Sequence, residues 1–248
     1  MFENIAAWWG ELTPETKMFI IVTASFIPLI ILGFVMQVKV KNTFEKYSGV
    51  MTRLGTPAHM VARYMLDANG LQMVKVHQVK GSLTDHYDPR SNSVALSESV
   101  YHSSSVAAIG VATHEAGHAV QHDRGHIFSR VRAALVPIVN ITNRTLMPLL
   151  FVGMLLSFMG MGWSIFFVYI GLAVFGVSAI FALINLPVEF NASRRALSAI
   201  KNGNFTQEEL AGARKVLTAA ALTYVVAFLI SLAQFLRFLS IFFIRRRR

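Results

Sequence analysis

Residues 145–188, TLMPLLFVGMLLSFMGMGWSIFFVYIGLAVFGVSAIFALINLPV, form a stretch of 44 positions without a charged side chain. A membrane-spanning helix needs about 20 apolar residues, so this window has room for two crossings. We expect the turn between them at Gly160–Trp163, where two glycines loosen the helix and a tryptophan suits the membrane interface. Such a hairpin returns the chain to the side of the membrane from which it entered.

Two further apolar windows, Met18–Val38 and Val216–Leu236, are also long enough to cross, so the sequence predicts four spans. A hydrophobic content of 54% and a mean hydropathy of +0.51 are too high for an ordinary soluble fold. The first window is too long for a cleaved signal peptide, and Glu3, Glu11 and Glu15 replace the usual basic cluster before it. We therefore expect an integral membrane protein with a retained first anchor.

Basic residues flank the apolar windows on one predicted side, which the positive-inside rule assigns to the cytoplasm. They are Lys39, Lys41, Lys46, Arg130, Arg132, Arg144, Arg194, Arg195, Arg214 and Lys215. This placement explains the net charge of +10, and we find no nucleic-acid-binding motif. Four full crossings would put Arg245–Arg248 on the opposite side, unless the last window, followed by Arg237, lies partly in the membrane interface.

The chain is predicted to consist of five parts. These are an N-terminal segment with the first span (1–38), a polar domain (39–144), a transmembrane hairpin (145–188), a helical segment (189–215), and a C-terminal transmembrane or interfacial helix with a basic tail (216–248). Pro187 is expected to break or kink the end of the third span.

The polar domain has the sequence signals of an α+β fold. Thr56 as an N-cap, Pro57 at the first position and Gly70 as a stop predict a helix over Pro57–Ala68. Two or three short strands are expected, at Leu71–Val79 and Ser93–Leu96, with a loop containing Gly81 and Asp88-Pro89 between them.

A second helix is predicted over Ser105–Asp123, with Ser103–Ser105 as candidate caps and Gly125 as its stop. It contains the stretch THEAGHAVQHDRG, residues 113–125, in which His114 and His118 are four apart and so face the same way. Two imidazoles at this spacing can bind one metal ion, and in zinc hydrolases the glutamate between them is the general base that takes a proton from water. A shuffled chain of this composition would contain the pattern about 0.01 times.

A catalytic zinc ion needs a third protein ligand. The chain has no cysteine, so that ligand must be His, Asp or Glu. His122 lies roughly 12 Å along the helix from His114, too far to share an ion with it. His126 does not have the HExxHxxGxxH spacing of the metzincins. His86 and His102 could contact substrate or nothing. Glu189 directly follows the hairpin on the same predicted side, where it could be a ligand or an ordinary glutamate at the start of a helix.

Three features together resemble the YugP-like family of bacterial membrane zinc metallopeptidases. They are the segment DHYDPRSNSVALSESVYHSSSVAAIGVATHEAGHAVQ, the hydrophobic hairpin that follows it, and LPVEFNASRRAL. The similarity runs over most of the chain, and the HtpX-type gluzincins are more distantly similar. The resemblance implies a small gluzincin-like catalytic domain in which His114, His118 and Glu189 bind Zn²⁺ and Glu115 is catalytic.

The resemblance also bears on the residues around the metal ligands. The related motif is ExxAD, and residues 189–193, EFNAS, have Ser193 in place of its aspartate. Because a carboxylate in such sites usually orients a ligand imidazole, Ser193, Asn191 or water must replace it. His122 is a further candidate for this supporting role.

In related gluzincins an edge strand pairs with extended substrate backbone, and residues 92–96 occupy that place in this sequence. Asn92, Val94 and Leu96 are therefore candidate substrate-binding residues, with an ordinary sheet strand as the alternative.

The sequence thus predicts a zinc-dependent endopeptidase of the bacterial cytoplasmic membrane, with its active site facing the cytoplasm. Its partners would be a peptide or protein substrate and the lipid bilayer, and by family analogy the substrates are damaged or misassembled membrane proteins. The alternative is a non-catalytic membrane scaffold or assembly factor with a structural metal site. A transporter is disfavoured because the predicted spans and their immediate ends contain almost no ionisable residue besides Arg237.

Overall fold

A computed structural model describes residues 2–159 and 164–246, which are mostly helical with one small sheet. In chain order the elements are α1 (Phe2–Glu11), α2 (Pro14–Ser48), α3 (Ala58–Ala68), β1 (Lys75–Val79), β2 (His86–Asp88), β3 (Ser93–Ser97), α4 (Glu98–Tyr101), α5 (Val106–Asp123), α6 (Ile127–Phe158), α7 (Ser164–Asn202) and α8 (Gln207–Arg246). The predicted turn at Gly160–Trp163 lies outside the described residues.

The chain divides into two compact units. The helical unit comprises Met1–Phe34, Arg132–Ile184 and Val225–Arg248, and the α/β unit comprises Val35–Val131 and Asn185–Tyr224. Among the described residues, three helices are long and apolar enough to cross a membrane; they cover Pro14–Ser48, Tyr169–Asn202 and Gln207–Ile244. A fourth crossing, which would fall in α6, stays a prediction, as does the division into five parts.

Helix α5 lies in the core of the α/β unit. It packs against α3, α4, β2 and β3, and the surrounding core is mostly aliphatic. Leu66, Leu96 and Ile109 are among its fully buried side chains. Truncating any one of them would cost about 2–5 kcal/mol, because the cavity left behind would collapse only in part.

Small residues on α5 allow two other helices to approach closely. A Cβ atom on Gly117 would lie 2.9 Å from the Ala192 carbonyl oxygen of α7, whereas one on Gly110 would lie 3.7 Å from the Ala213 Cβ of α8. The first distance is too short for any side chain, so Gly117 is what allows α7 to lie directly against α5. This contact brings residue 189 and its neighbours to the helix that carries the histidines.

The sheet has the strand order β1-β3-β2. β3 pairs in parallel with β1, with Lys75 opposite Ser93, and antiparallel with β2, with His86 opposite Ala95. The expected loop between the two predicted strands therefore contains a third strand. Strand order depends on which chains meet in the folded protein, and the hydrophobic pattern of a single strand does not encode it.

This strand order counts against the prediction that residues 92–96 bind substrate. β3 is the middle strand, and residues 93–95 pair with β1 on one edge and with β2 on the other. Val94 and Leu96 are fully buried, and the Asn92 carbonyl accepts a hydrogen bond from the Lys75 N–H. The strand is part of the core, which favours the alternative of an ordinary sheet strand.

The ends of the two predicted helices follow local signals with one exception. Ser105 caps α5 by accepting a hydrogen bond from the Ala108 N–H at 3.2 Å, and Gly125 follows with φ of +63°. Thr56 does not cap α3, because Pro57 occupies the N-cap position without a side-chain bond and the Ala58 N–H instead donates to a backbone carbonyl, that of residue 103. A tertiary partner thus satisfies the donor that a cap would have satisfied.

Pro187 lies inside α7, so the helix does not break at this point, and the predicted kink stays a prediction. The helix continues for several turns beyond the proline. Val188 and Ala192 in that continuation are fully buried. Their packing outweighs the loss of the one backbone hydrogen bond that the proline cannot donate.

Candidate metal centre

His114 and His118 lie one turn apart on the same face of α5. Their rings are 4.7 Å apart between centroids and nearly perpendicular, at 85°. Glu189 comes from α7 and is 3% exposed. Its Oε2 atom lies 3.2 Å from His114 Nε2 and 3.7 Å from His118 Nε2. Two segments separated by some 70 residues of chain therefore direct three metal-binding side chains to one point.

The spacing of these atoms fits a zinc ion. Tetrahedral coordination at about 2.0–2.1 Å places neighbouring ligand atoms about 3.3 Å apart, and the two observed separations lie close to this value. All three ligand atoms lie within 4.8 Å of one another, which makes the three residues a possible metal-binding group. Two imidazoles and a carboxylate are also a ligand set that suits zinc.

Gln121 holds the far side of the His118 ring, and the sequence prediction missed this residue. The His118 Nδ1 atom lies 2.9 Å from Gln121 Oε1. The orientation of the amide follows from its other contacts, because Gln121 Nε2 donates to the Val188 carbonyl at 2.7 Å and to Asn191 Oδ1 at 3.0 Å. Its Oε1 atom therefore accepts the proton of Nδ1, which leaves Nε2 of His118 free of hydrogen for a metal.

The distance in sequence between His118 and Gln121 could have indicated that Gln121 supports the histidine. The side chain is fully buried, and it lies three residues after His118 on the same helix. Residues three apart on a helix are neighbours, and a buried glutamine needs partners for its amide. A polar residue three positions after a predicted metal ligand was therefore the signal in the sequence. Asn191, a predicted supporting residue, contacts Gln121 and not the histidine itself. Its Oδ1 atom also accepts a hydrogen bond from Arg195 Nε at 2.8 Å.

Ser193 holds the far side of the His114 ring. Its Oγ atom lies 3.2 Å from His114 Nδ1, and its side chain is largely buried. A hydroxyl thus stands where the related motif has an aspartate. If His114 Nε2 binds the metal, the Nδ1–H donates to this oxygen and fixes the ring.

Glu115 lies between the two histidines on α5 and is partly exposed. Asp85, just before β2, is close enough for its charge to interact with that of Glu115. The pKa of Asp85 lies above its ordinary value, chiefly because burial penalises the charged form. Hydrogen bonds from Ser97 oppose this rise, and the negative charge of Glu115 adds to it.

The four other histidines that the sequence analysis considered lie outside the group of three. His122 is exposed, and its Nδ1 atom lies 3.1 Å from the Tyr87 hydroxyl. His86 Nδ1 lies 2.9 Å from the backbone oxygen of residue 84, and the His102 ring packs edge-on against Tyr101. His126 is partly buried beyond the end of α5. The structure therefore brings none of these four to the ligand atoms of the centre.

The family of the chain follows from comparison with known proteins. A family model described as "Putative neutral zinc metallopeptidase" matches residues 22–243. The chain belongs to this family. A relative named "Putative membrane protease YugP", from Bacillus subtilis (strain 168), is 47% identical over 213 residues, which cover 85% of this chain and 92% of that protein. No solved structure matches the chain. The resemblance drawn from the sequence motifs to this zinc metallopeptidase family is confirmed.

Proposed function

We propose that this protein is a zinc-dependent membrane endopeptidase in which His114, His118 and Glu189 hold the metal and Glu115 is the general base. The observation that carries the proposal is the convergence of two Nε2 atoms on one Glu189 oxygen, with both Nδ1 atoms turned to other partners. Membership of a zinc metallopeptidase family supports the same reading.

The proposed reaction is hydrolysis of a peptide bond. When bound, zinc lowers the pKa of water toward neutrality and polarises a carbonyl oxygen. Glu115 takes the proton from the attacking water and delivers it to the amine that leaves. Gln121 and Ser193 keep the imidazoles in the orientation that the reaction needs, and the buried Glu189 carboxylate supplies negative charge to balance the metal.

Replacement of Glu115 by glutamine separates a protease from a scaffold with a structural metal. Glu115→Gln keeps the shape of the side chain but removes its basicity, so cleavage of an unfolded protein such as β-casein should fall by about 10²–10⁴-fold. Zinc content, measured by elemental mass spectrometry, should stay at one per chain. Glu98→Gln, the same change on an exposed residue of α4, should leave cleavage unchanged. Equal cleavage by wild type and Glu115→Gln would favour the scaffold.

The proposed substrates are polypeptides at the membrane, including damaged or misassembled membrane proteins. The support is that Glu189 lies on a helix long enough to cross a membrane and that the curated relative is named a membrane protease. In proteoliposomes, the enzyme should cleave a destabilised variant of a membrane protein faster than its folded parent. Equal rates for the two would contradict this choice of substrate.

The α/β unit is proposed to face the cytoplasm of a bacterium, on the basis of the basic residues that flank the apolar windows. Because the chain has no cysteine, a single Met73→Cys variant reports on this side alone. Met73 is 84% exposed, so a membrane-impermeant maleimide should label the variant in lysed cells but not in intact spheroplasts. Labelling in intact spheroplasts would place the unit on the outside.

A further inference from the structure

A second concave site lies on the α/β unit, on another face of α5 from the histidines. This arginine cleft has a volume of about 610 Å³ and lies between α3, the end of α5 and the end of α7. Arg124 and Arg195 line it, together with the neutral polar side chains of Tyr64, Asn69 and Asn202. No aspartate or glutamate is among its lining residues within the described part of the chain.

The two guanidinium groups keep most of their hydrogen-bonding capacity. Arg124 Nη2 donates to Asn69 Oδ1 at 3.2 Å, and Arg195 Nε donates to Asn191 Oδ1 at 2.8 Å. A guanidinium has five N–H donors, so among the described residues each arginine has several donors without a protein partner. Over residues 2–159 and 164–246, neither forms a salt bridge with a carboxylate.

The positive charges of the cleft act on one another and on a neighbouring histidine. Arg124 and Arg195 lie close enough for their charges to interact. The pKa of His126 lies below its ordinary value, first because of burial and then because of the positive charge of Arg195. Like charges held together raise the free energy of the folded protein, and an anion bound between them would lower it.

We propose that the arginine cleft binds a dianionic phosphate group. Two guanidinium groups that share a cleft can each present paired N–H donors, a geometry that suits the several oxygens of a phosphate monoester. The neutral donors around them match the remaining oxygens or the rest of the ligand. The volume exceeds that of phosphate alone, so the natural ligand is a phosphorylated molecule, either soluble or a lipid with a phosphate monoester headgroup.

The cleft is connected to the candidate metal centre by three hydrogen bonds. Arg195 bonds to Asn191, Asn191 to Gln121, and Gln121 to His118 Nδ1. Arg195 uses Nε for this chain. In the part of the chain that the structure describes, no hydrogen bond occupies its Nη groups, so the two interactions are compatible. Phosphate would therefore fix Arg195 and slow the loss of metal from His118, a coupling that rests on the proposed zinc site. Phosphate binding itself does not depend on zinc.

Calorimetric titration of the detergent-purified full chain with inorganic phosphate, at constant ionic strength, tests the site. Wild type should bind phosphate more tightly than acetate, and Arg124→Gln and Arg195→Gln should each weaken binding by about tenfold or more. Arg90→Gln removes the same charge from an exposed loop outside the cleft and should bind as wild type does. Absence of phosphate binding by wild type, or equal binding of acetate, would overturn the proposal.

Folding of each variant is checked by its thermal unfolding midpoint. If Arg195→Gln does not fold, Arg195→Lys provides a second test, because lysine keeps the charge but lacks the paired donors and should still bind more weakly than wild type. Wild-type affinity in both Arg124→Gln and Arg195→Lys would overturn the assignment.

Nanodiscs distinguish the two sources of phosphate. If the ligand is a lipid, discs containing phosphatidic acid should compete with inorganic phosphate, whereas discs of phosphatidylcholine alone should not. If the ligand is soluble, neither disc should compete. Competition that persists in Arg124→Gln would show that the lipid binds elsewhere and would count against the cleft as a lipid site.

The rate of zinc loss to a chelator tests the connection to His118. Phosphate should slow this loss several-fold in wild type and leave it unchanged in Asn191→Ala, which removes the middle link but keeps both arginines. Slowing of equal size in Asn191→Ala would overturn the connection while leaving the phosphate site standing. A chain that binds phosphate but holds no zinc would contradict the proposed function and not the cleft.

Discussion

The two histidines of the candidate metal centre are held in different ways. On one side, His118 contacts an amide network in which Gln121 is fully buried and bonds to the backbone and to Asn191. On the other, His114 contacts a single hydroxyl, that of Ser193, at 3.2 Å. One side of the centre is fixed by several mutually dependent bonds, and the other by one neutral bond.

This difference indicates where the centre is most sensitive to change. Loss of a member of the amide network would leave buried polar groups without partners, which costs more than the bond itself contributes. Loss of the hydroxyl removes one partner from a partly exposed ring. We therefore expect the His118 side to tolerate substitution less well than the His114 side.

Gln121→Leu should have the largest effect, because it removes the amide while nearly keeping its volume. His118 Nδ1, the Val188 carbonyl and Asn191 would each lose a partner. Zinc affinity, measured by competition with a chelator, should fall by about 100-fold, at the upper end for groups that orient metal ligands. Gln78→Leu, the same change on an exposed residue of β1, is the control. Unchanged zinc affinity in Gln121→Leu would show that the amide network does not hold His118 more firmly than Ser193 holds His114.

Gly117→Ala should disturb the packing of α5 against α7, on which both sides of the centre depend. The new methyl group would lie 2.9 Å from the Ala192 carbonyl oxygen and force α5 and α7 apart, at a cost of about 1–3 kcal/mol in the free energy of unfolding. Gly110→Ala is the matched change on the same helix, where the methyl group has room and helix propensity favours alanine by up to about 1 kcal/mol. Equal stability of the two variants in chemical denaturation would show that the close approach at Gly117 is unimportant.

Ser193→Ala should weaken zinc binding by only about tenfold, because it removes one neutral hydrogen bond. Ser193→Asp should strengthen binding relative to wild type, since a carboxylate raises the basicity of the imidazole more than a hydroxyl does. Ser178→Ala, elsewhere on α7, is the control. A loss in Ser193→Ala as large as that in Gln121→Leu would show that the two sides are held equally.

His122→Ala should have the smallest effect on zinc. The side chain is exposed and bonds to Tyr87 instead of the metal ligands, so zinc affinity should stay within about twofold of wild type. A loss of zinc in this variant would mean that His122, and not Glu189, completes the centre.

Local signals were sufficient to predict α5 and its position in the sequence. Ser105 accepts the capping bond and Gly125 has the positive φ of a helix stop, and both properties belong to a few adjacent residues. The place of β3 between two strands was not predictable in this way, because it depends on partners that begin and end elsewhere in the chain. The burial that keeps α7 helical past Pro187 is likewise a tertiary effect.

The centre itself shows the same division. The four-residue spacing of His114 and His118 predicts that they share a face. The predicted hairpin allowed Glu189 to meet this face, but only the family resemblance chose it as a ligand. The role of Gln121 required knowledge that α7 passes within hydrogen-bonding distance of α5, over a separation of about 70 residues. Neither composition nor periodicity carries that information.

The zinc content of the purified chain tests the central claim most directly. Elemental mass spectrometry should find one zinc per chain in wild type and in Glu208→Ala, which removes an exposed glutamate at the start of α8, and almost none in Glu189→Ala. This result would show that ligands from α5 and α7 bind the same zinc ion. Full zinc content in a folded Glu189→Ala variant would contradict the account.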